Sequence, residues 1–297
     1  VWAMDEGGRQ QFNPLVHDGT MFVSNNLTNV VQALDAKTGE LIWENSIGPV
    51  LQRSGNATRT MGLYKDLLIY PSTDSKLYGL NARTGKIVWK TTVTDLNGHI
   101  GGLTVIHGKI ILGLTRCDEH PAKEHCFIAA YDADTGKQVW KFVTVALKGH
   151  PGDDSWNGLP DEERVGGDAW ITGTYDPVLN LTYWGLGQAK PWRRDARKSG
   201  DGATDYTNST VALDPDTGEM KWWVNHAPGE SLDLDEVYER VLVDYGSQKT
   251  FMTVGKVGIL WKFDRVKGKY LDNVQTVFQN VYSKVDPKTG AVTYRPD

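Results

Sequence analysis

Asp233 and Asp235 lie two residues apart in the stretch G-E-S-L-D-L-D-E-V, residues 229–237, where Leu232 and Leu234 alternate with them. In an extended chain both carboxylates point to one face and both leucines to the other. Carboxylates that close repel, and one resists ionising unless a cation or a proton sits between them. The plain alternative on these residues alone is an edge strand with a solvated acidic face. Cys117 and Cys126, the only cysteines, flank D-E-H-P-A-K-E-H. The favoured expectation is a short-loop disulfide formed in an oxidising compartment. A metal site of Cys117, His120, His125 and Cys126 is the other reading, although its spacing matches no familiar zinc pattern.

Composition bounds what such residues serve. The chain has 297 residues, 39% of them hydrophobic, enough for a sizeable core in one or two domains. A net charge of -5 without a basic stripe argues against a nucleic-acid partner. No apolar run approaches the roughly 20 residues that span a bilayer. No basic start leads into an apolar stretch, so any signal peptide is expected to have been removed or never present. Eleven Trp and 32 Gly imply many turns and a recurring aromatic anchor.

The elements that position these residues come from a repeat. A-L-D-A-K-T-G-E-L-I-W at residues 33–43 recurs at 79–89, 130–140 and 212–222, with degenerate copies from Lys262 and Lys284. Each copy reads as a strand, a tight turn closed by Gly and a second strand ending on Trp. Further hairpins precede three copies, at residues 17–23, 64–70 and 106–112. About four strands per unit is the pattern of a propeller blade, with Trp43, Trp89 and Trp140 packed between neighbours. The fold class is therefore an all-β propeller of about five blades, read as one domain over residues 1–297 and as part of a larger ring. The wider gap between Trp140 and Trp222 holds two polar loops, the kind of insertion that lines one face.

The D-x-x-T-G-x-x-x-W copies resemble those of the eight-bladed quinoprotein alcohol dehydrogenases, which use pyrroloquinoline quinone (PQQ), and correspond to about the first half of such an enzyme. Between the repeats, G-G-D-A-W ending at Trp170 resembles the segment whose indole forms the floor under the quinone rings. Gln188, in W-G-L-G-Q-A-K-P-W, stands where the family places an Asn metal ligand. Asp233 matches the catalytic aspartate that takes the alcohol proton. Asp235 matches the additional metal-binding aspartate of the lanthanide-dependent members, so a lanthanide ion is implied, with calcium as the alternative. A further carboxylate suits a trivalent hard cation. Lys256 falls where a cation contacts the quinone oxygens, and Arg59 where an Arg binds a cofactor carboxylate. Gln11 replaces a Glu that helps hold the cofactor, and either Asp118 or Glu119 takes the place of a metal-binding Glu.

Two departures are visible: the family's vicinal cysteine pair is absent near residues 52–56, and Leu232 replaces the usual Trp before the catalytic Asp. The resemblance implies oxidation of a small alcohol or polyol, the metal polarising the quinone carbonyl, Asp233 acting as base and hydride passing to the quinone. It further implies a cytochrome c-type acceptor and a periplasmic location. A non-catalytic propeller scaffold would explain the Trp repeats but not the ordered site motifs. An inactive fragment of such an enzyme is the third reading.

Overall fold

Each repeat turn is closed by its own side chain. Asp35 Oδ1 accepts the backbone N–H groups of Lys37 and Thr38 at 2.9 and 2.8 Å. Asn81, Asp132, Asp214, Asp264 and Asp286 do the same, so the degenerate copies fold like the clear ones. The turn glycine has a left-handed φ, 79° at Gly39 and 68° at Gly268. From the second copy on it also lies against the preceding repeat's aromatic residue. A methyl on Gly85, Gly136, Gly218 or Gly268 would meet Trp43, Trp89, Trp140 or Trp222 at 2.4 to 2.6 Å. The expected tryptophan anchors are therefore tryptophan-on-glycine contacts between neighbours, continued by Tyr270 on Gly290.

The computed structural model describes residues 13–25, 28–48, 59–96, 99–118 and 120–296. Five four-stranded antiparallel sheets follow in chain order, at residues 15–46, 62–92, 99–143, 174–225 and 241–275. A hairpin of Tyr282–Val285 and Val292–Tyr294 comes last, in the place of a further blade. The core lies between sheets rather than within one. Phe251 stacks between Trp222 of the preceding blade and Phe263 of its own, with centroids 5.8 and 5.2 Å away. Each such buried side chain contributes about 1.5–3 kcal/mol. The one α-helix among the described residues is the single turn Arg194–Arg197, and no helix there is long and apolar enough to cross a membrane.

This up-and-down order decides where chemistry can sit. The repeat turns all fall at one end of the blades, and the longer connections at the other. At that other end lie the loops after Thr115, Val143, Gly185, Asn225 and Val254, which carry every described motif residue from Asp118 to Lys256. The inserted stretches meet there, where Val165–Gly166 pairs with Ala189–Lys190.

Candidate active site

Trp170 is carried on a bed of bare backbone. A methyl at Gly101 or Gly113 would lie 2.2 Å from the Ala169 carbonyl oxygen, and one at Gly102 2.2 Å from the Thr172 nitrogen. Only glycines in these two inner strands of the third blade let residues 169–172 run so close. Hydrogen bonds fix the segment there, Ala169 N–H to the Leu114 carbonyl at 3.1 Å and Gly102 N–H to that of Trp170 at 2.9 Å. Across from it, a methyl at Gly187 would come within 3.0 Å of both the Trp170 ring and Asp235 Oδ1. Trp170 and the acidic loop thus meet at one glycine. They border a cleft of about 600 Å³, whose wall includes Arg116, Asp118, Asp168, Gln188 and Lys190.

The acidic loop is not the extended strand that its alternation implies. Residues 230–239 form no strand, and Asp233 has a left-handed φ of 62°. The leucines part accordingly: Leu232 is 61% exposed while Leu234 is buried at 6%. Glu230, buried just before them, sets the kink. Its Oε2 accepts the N–H groups of Leu232 at 2.5 Å and Leu234 at 3.3 Å, holding the chain in a turn about Asp233. Neither the one-faced strand nor the solvated edge describes the segment, yet the two carboxylates do converge.

They converge on a cation. Lys256 Nζ stands 3.0 Å from Asp233 Oδ1 and 2.5 Å from Asp235 Oδ2. Gln188 joins through both backbone and side chain: its Nε2 donates to Asp233 Oδ1 at 2.5 Å and its N–H to Asp235 Oδ1 at 3.2 Å. The longer amide therefore reaches the aspartates. Its Oε1 is buried with no hydrogen-bond partner, an acceptor facing no donor. Burial pushes Asp235 up to about 6 against the pull of Lys256. Burial also works to lower Lys256, but Asp235 and Asp233 outweigh it and raise its pKa. Behind the loop, burial lifts Glu236 to about 8 and brings Arg240 down to about 10.

Two carboxylates around one positive charge, with an unpartnered amide oxygen on the residue that bonds both, suit a hard cation. No third His, Cys, Asp or Glu completes a cluster among the described residues. The bare edge of Trp170 at Gly187 equally fits a flat ring system. On both counts the residues suit the groups that the family resemblance implies.

A second lysine bridge crosses the same cleft. Lys190 Nζ pairs with Asp118 and, at 2.9 Å, with Asp168 Oδ2. Asp168 Oδ1 accepts Thr115 Oγ1 at 2.9 Å and the Arg116 N–H. Burial works against the charge on Lys190, but Asp168 and Asp118 raise its pKa. Asp118 thus lines the cleft with its carboxylate already engaged.

Of the expected site residues, Trp170, Gln188, Asp233, Asp235 and Lys256 come together. Arg59 lies at the same end, its carbonyl accepting Asn13 N–H at 3.2 Å, and is not part of the cleft wall. Gln11, Glu119 and residues 52–56 are outside the described residues. Cys117 and Cys126 are joined in a disulfide, which overturns the four-residue metal reading. His120 instead faces Glu163 at 3.6 Å. Asp168, Lys190 and Glu230 were missed by sequence reasoning, although all three stand inside motifs that it singled out.

Sheets of this order, docked by tryptophan on glycine, define a β-propeller. The family model described as "PQQ: Glucose/ethanol/alcohol dehydrogenase, beta-propeller domain" matches residues 3–281, and the chain belongs to that family. Quinohemoprotein alcohol dehydrogenase ADH IIB of Pseudomonas putida is 31% identical over all of this chain and 46% of its own length. The quinohemoprotein alcohol dehydrogenase of Comamonas testosteroni is 33% identical over 87% of this chain and 39% of its own. The solved structure of ADHIIG from Pseudomonas putida HK5 superposes with a TM-score of 0.88 at 28% identity, covering 98% of this chain and 46% of that one. The chain spans a little under half the length of these relatives.

Proposed function

We propose that this chain supplies the cofactor floor and the cation seat of a PQQ- and metal-dependent alcohol dehydrogenase, which oxidises a small alcohol or polyol to an aldehyde or ketone. Residues 1–297 are one propeller domain in this reading. The observation that carries it is the convergence of Asp233, Asp235 and the unpartnered Gln188 Oε1 beside Trp170. When bound, the quinone accepts hydride from the carbinol carbon and the metal polarises its carbonyl. Asp233 takes the hydroxyl proton: its Oδ1 is held by Gln188 and Lys256, while Oδ2 has no hydrogen bond among the described residues. Asp235 and Gln188 hold the cation, with Asp118 or Glu119 as a further ligand. Lys256, which fills the seat in the cation's place, would meet quinone oxygens with the cofactor bound, and Arg59 and Gln11 would bind its edge. The second carboxylate favours a lanthanide over calcium. Electrons leave to a cytochrome c-type acceptor, and the disulfide agrees with a periplasmic location.

Terbium luminescence sensitised by nearby Trp tests this, with and without PQQ and under excess calcium. Tight, calcium-resistant binding that disappears in Asp235→Ala is the expected result. Binding unchanged by Asp235→Ala, or no specific binding at all, refutes the metal assignment.

A further inference from the structure

We propose that the Lys190 ammonium is a binding contact for a carboxylate of the quinone cofactor, held ready for it by Asp168 and Asp118. The inference rests on the cofactor reading above and adds a residue to it. Lys190 lies on the wall of the cleft that contains Trp170, and its side chain is 19% exposed. An ammonium has three donors. One is given to Asp118, Asp168 Oδ2 stands at ion-pair distance, and no further partner lies among the described residues.

The surroundings explain why a cation is needed there. Three carboxylates, of Asp118, Asp168 and Asp235, line the cleft against two cationic side chains, Arg116 and Lys190. An anionic ligand entering such a wall is repelled unless a positive group is already in place. Asp168 provides that placement. Its Oδ1 is fixed by Thr115 and the Arg116 N–H, so its Oδ2 stays turned to Lys190 and attracts the ammonium at 2.9 Å. A flexible lysine normally loses rotamer freedom on binding; here that loss has occurred on folding. Asp168 also sits two residues before Trp170, on the segment seated on the glycine bed. Ring floor and carboxylate contact are thereby parts of one short stretch and its ion pair.

The experiment is a PQQ titration of the whole chain, followed by quenching of Trp fluorescence, with PQQ trimethyl ester in parallel. In Lys190→Met the dissociation constant for PQQ should rise about tenfold to a hundredfold, as for loss of a charge-assisted hydrogen bond. Lys190→Arg should recover most of it, and the ester should bind wild type and Lys190→Met equally. Lys190→Gln, which keeps a donor without the charge, replaces the methionine variant if near-UV circular dichroism shows that one misfolded. Unchanged PQQ affinity in both uncharged variants overturns the inference and leaves the Trp170 floor standing. An equal loss for acid and ester also overturns it, because the effect is then not on a carboxylate. Absence of quenching in wild type overturns the inference together with the cofactor reading.

Discussion

Lys256 and Lys190 each stand between two aspartates, at least one of which lines the same cleft, yet the acids around them are built differently. Asp233 and Asp235 come from a single kinked loop, with a buried amide oxygen beside them that lacks a donor. Asp118 and Asp168 come from separate segments, and Asp168, 3% exposed, is held at Oδ1 by a hydroxyl and a backbone N–H and stands 2.9 Å from an ammonium at Oδ2. The first arrangement has unused oxygen donors around a displaceable charge. In the second, the buried acid is pinned on one oxygen and ion-paired on the other. Unused oxygens suit a cation, while an acid pinned on one oxygen and ion-paired on the other holds its lysine in place.

Asp168→Ala should make that contrast plainest, costing about 3 kcal/mol because it strands a mostly buried lysine and two donors. Asp233→Ala, whose side chain is 38% exposed, should cost less than about 1 kcal/mol. Urea unfolding of the two variants decides, and a larger loss for Asp233 would erase the distinction. Next in size, Lys256→Ala should tighten terbium binding about tenfold in the cofactor-free chain, since one positive charge no longer competes for the carboxylates. Weaker binding would show that Lys256 supports the seat rather than fills it.

The pH profile sharpens the same comparison. Burial raises Asp235 to about 6, so protons compete with a cation below that pH. Terbium affinity should be flat above pH 7 and fall by about tenfold between pH 7 and 5, a slope that Asp235→Asn removes. For metal-free stability the sign is reversed from the usual carboxylate. The folded chain binds the proton between about 6 and the ordinary value of 3.8, so this group makes the chain more stable as pH falls through that window. The smallest effect concerns the backbone: Asp233→Gly should stabilise the metal-free chain by about 0.5 kcal/mol, by relieving the left-handed φ, while abolishing the seat. A destabilised glycine variant in thermal melts would mean that the carboxylate, not Glu230, holds the kink.

The fold was legible because its signals are local and repeated. An Asp or Asn and a Gly at fixed offsets, followed by an aromatic residue, specify turn, φ and docking contact, even in the copies at Lys262 and Lys284, although Tyr270 stands two residues before the Trp position. The site was legible as a set of residue types, since alternation of strands brings their loops to one end. Its conformation was not. Alternating Leu and Asp has the period of a strand, but Glu230 captures two N–H groups that a strand would have given to a neighbour. Asp168 and Lys190 escaped notice because their pairing spans 22 residues and exists only where two insertions form a bridge. Gly101, Gly102 and Gly113 belong to no motif in the sequence, and only the backbone lying on them shows their use.

The tryptophan-on-glycine contacts also divide the molecule's freedom to change. At the turn end each blade is cut to its neighbour, so Trp140 and Gly218 can vary only together, as partners 78 residues apart in sequence. At the opposite end, residues 144–173 and 186–208 extend the connections while the blade registers stay intact. Novelty can therefore accumulate on one side without disturbing assembly on the other. A designer could exchange whole loops around the cleft and leave the scaffold's joinery untouched.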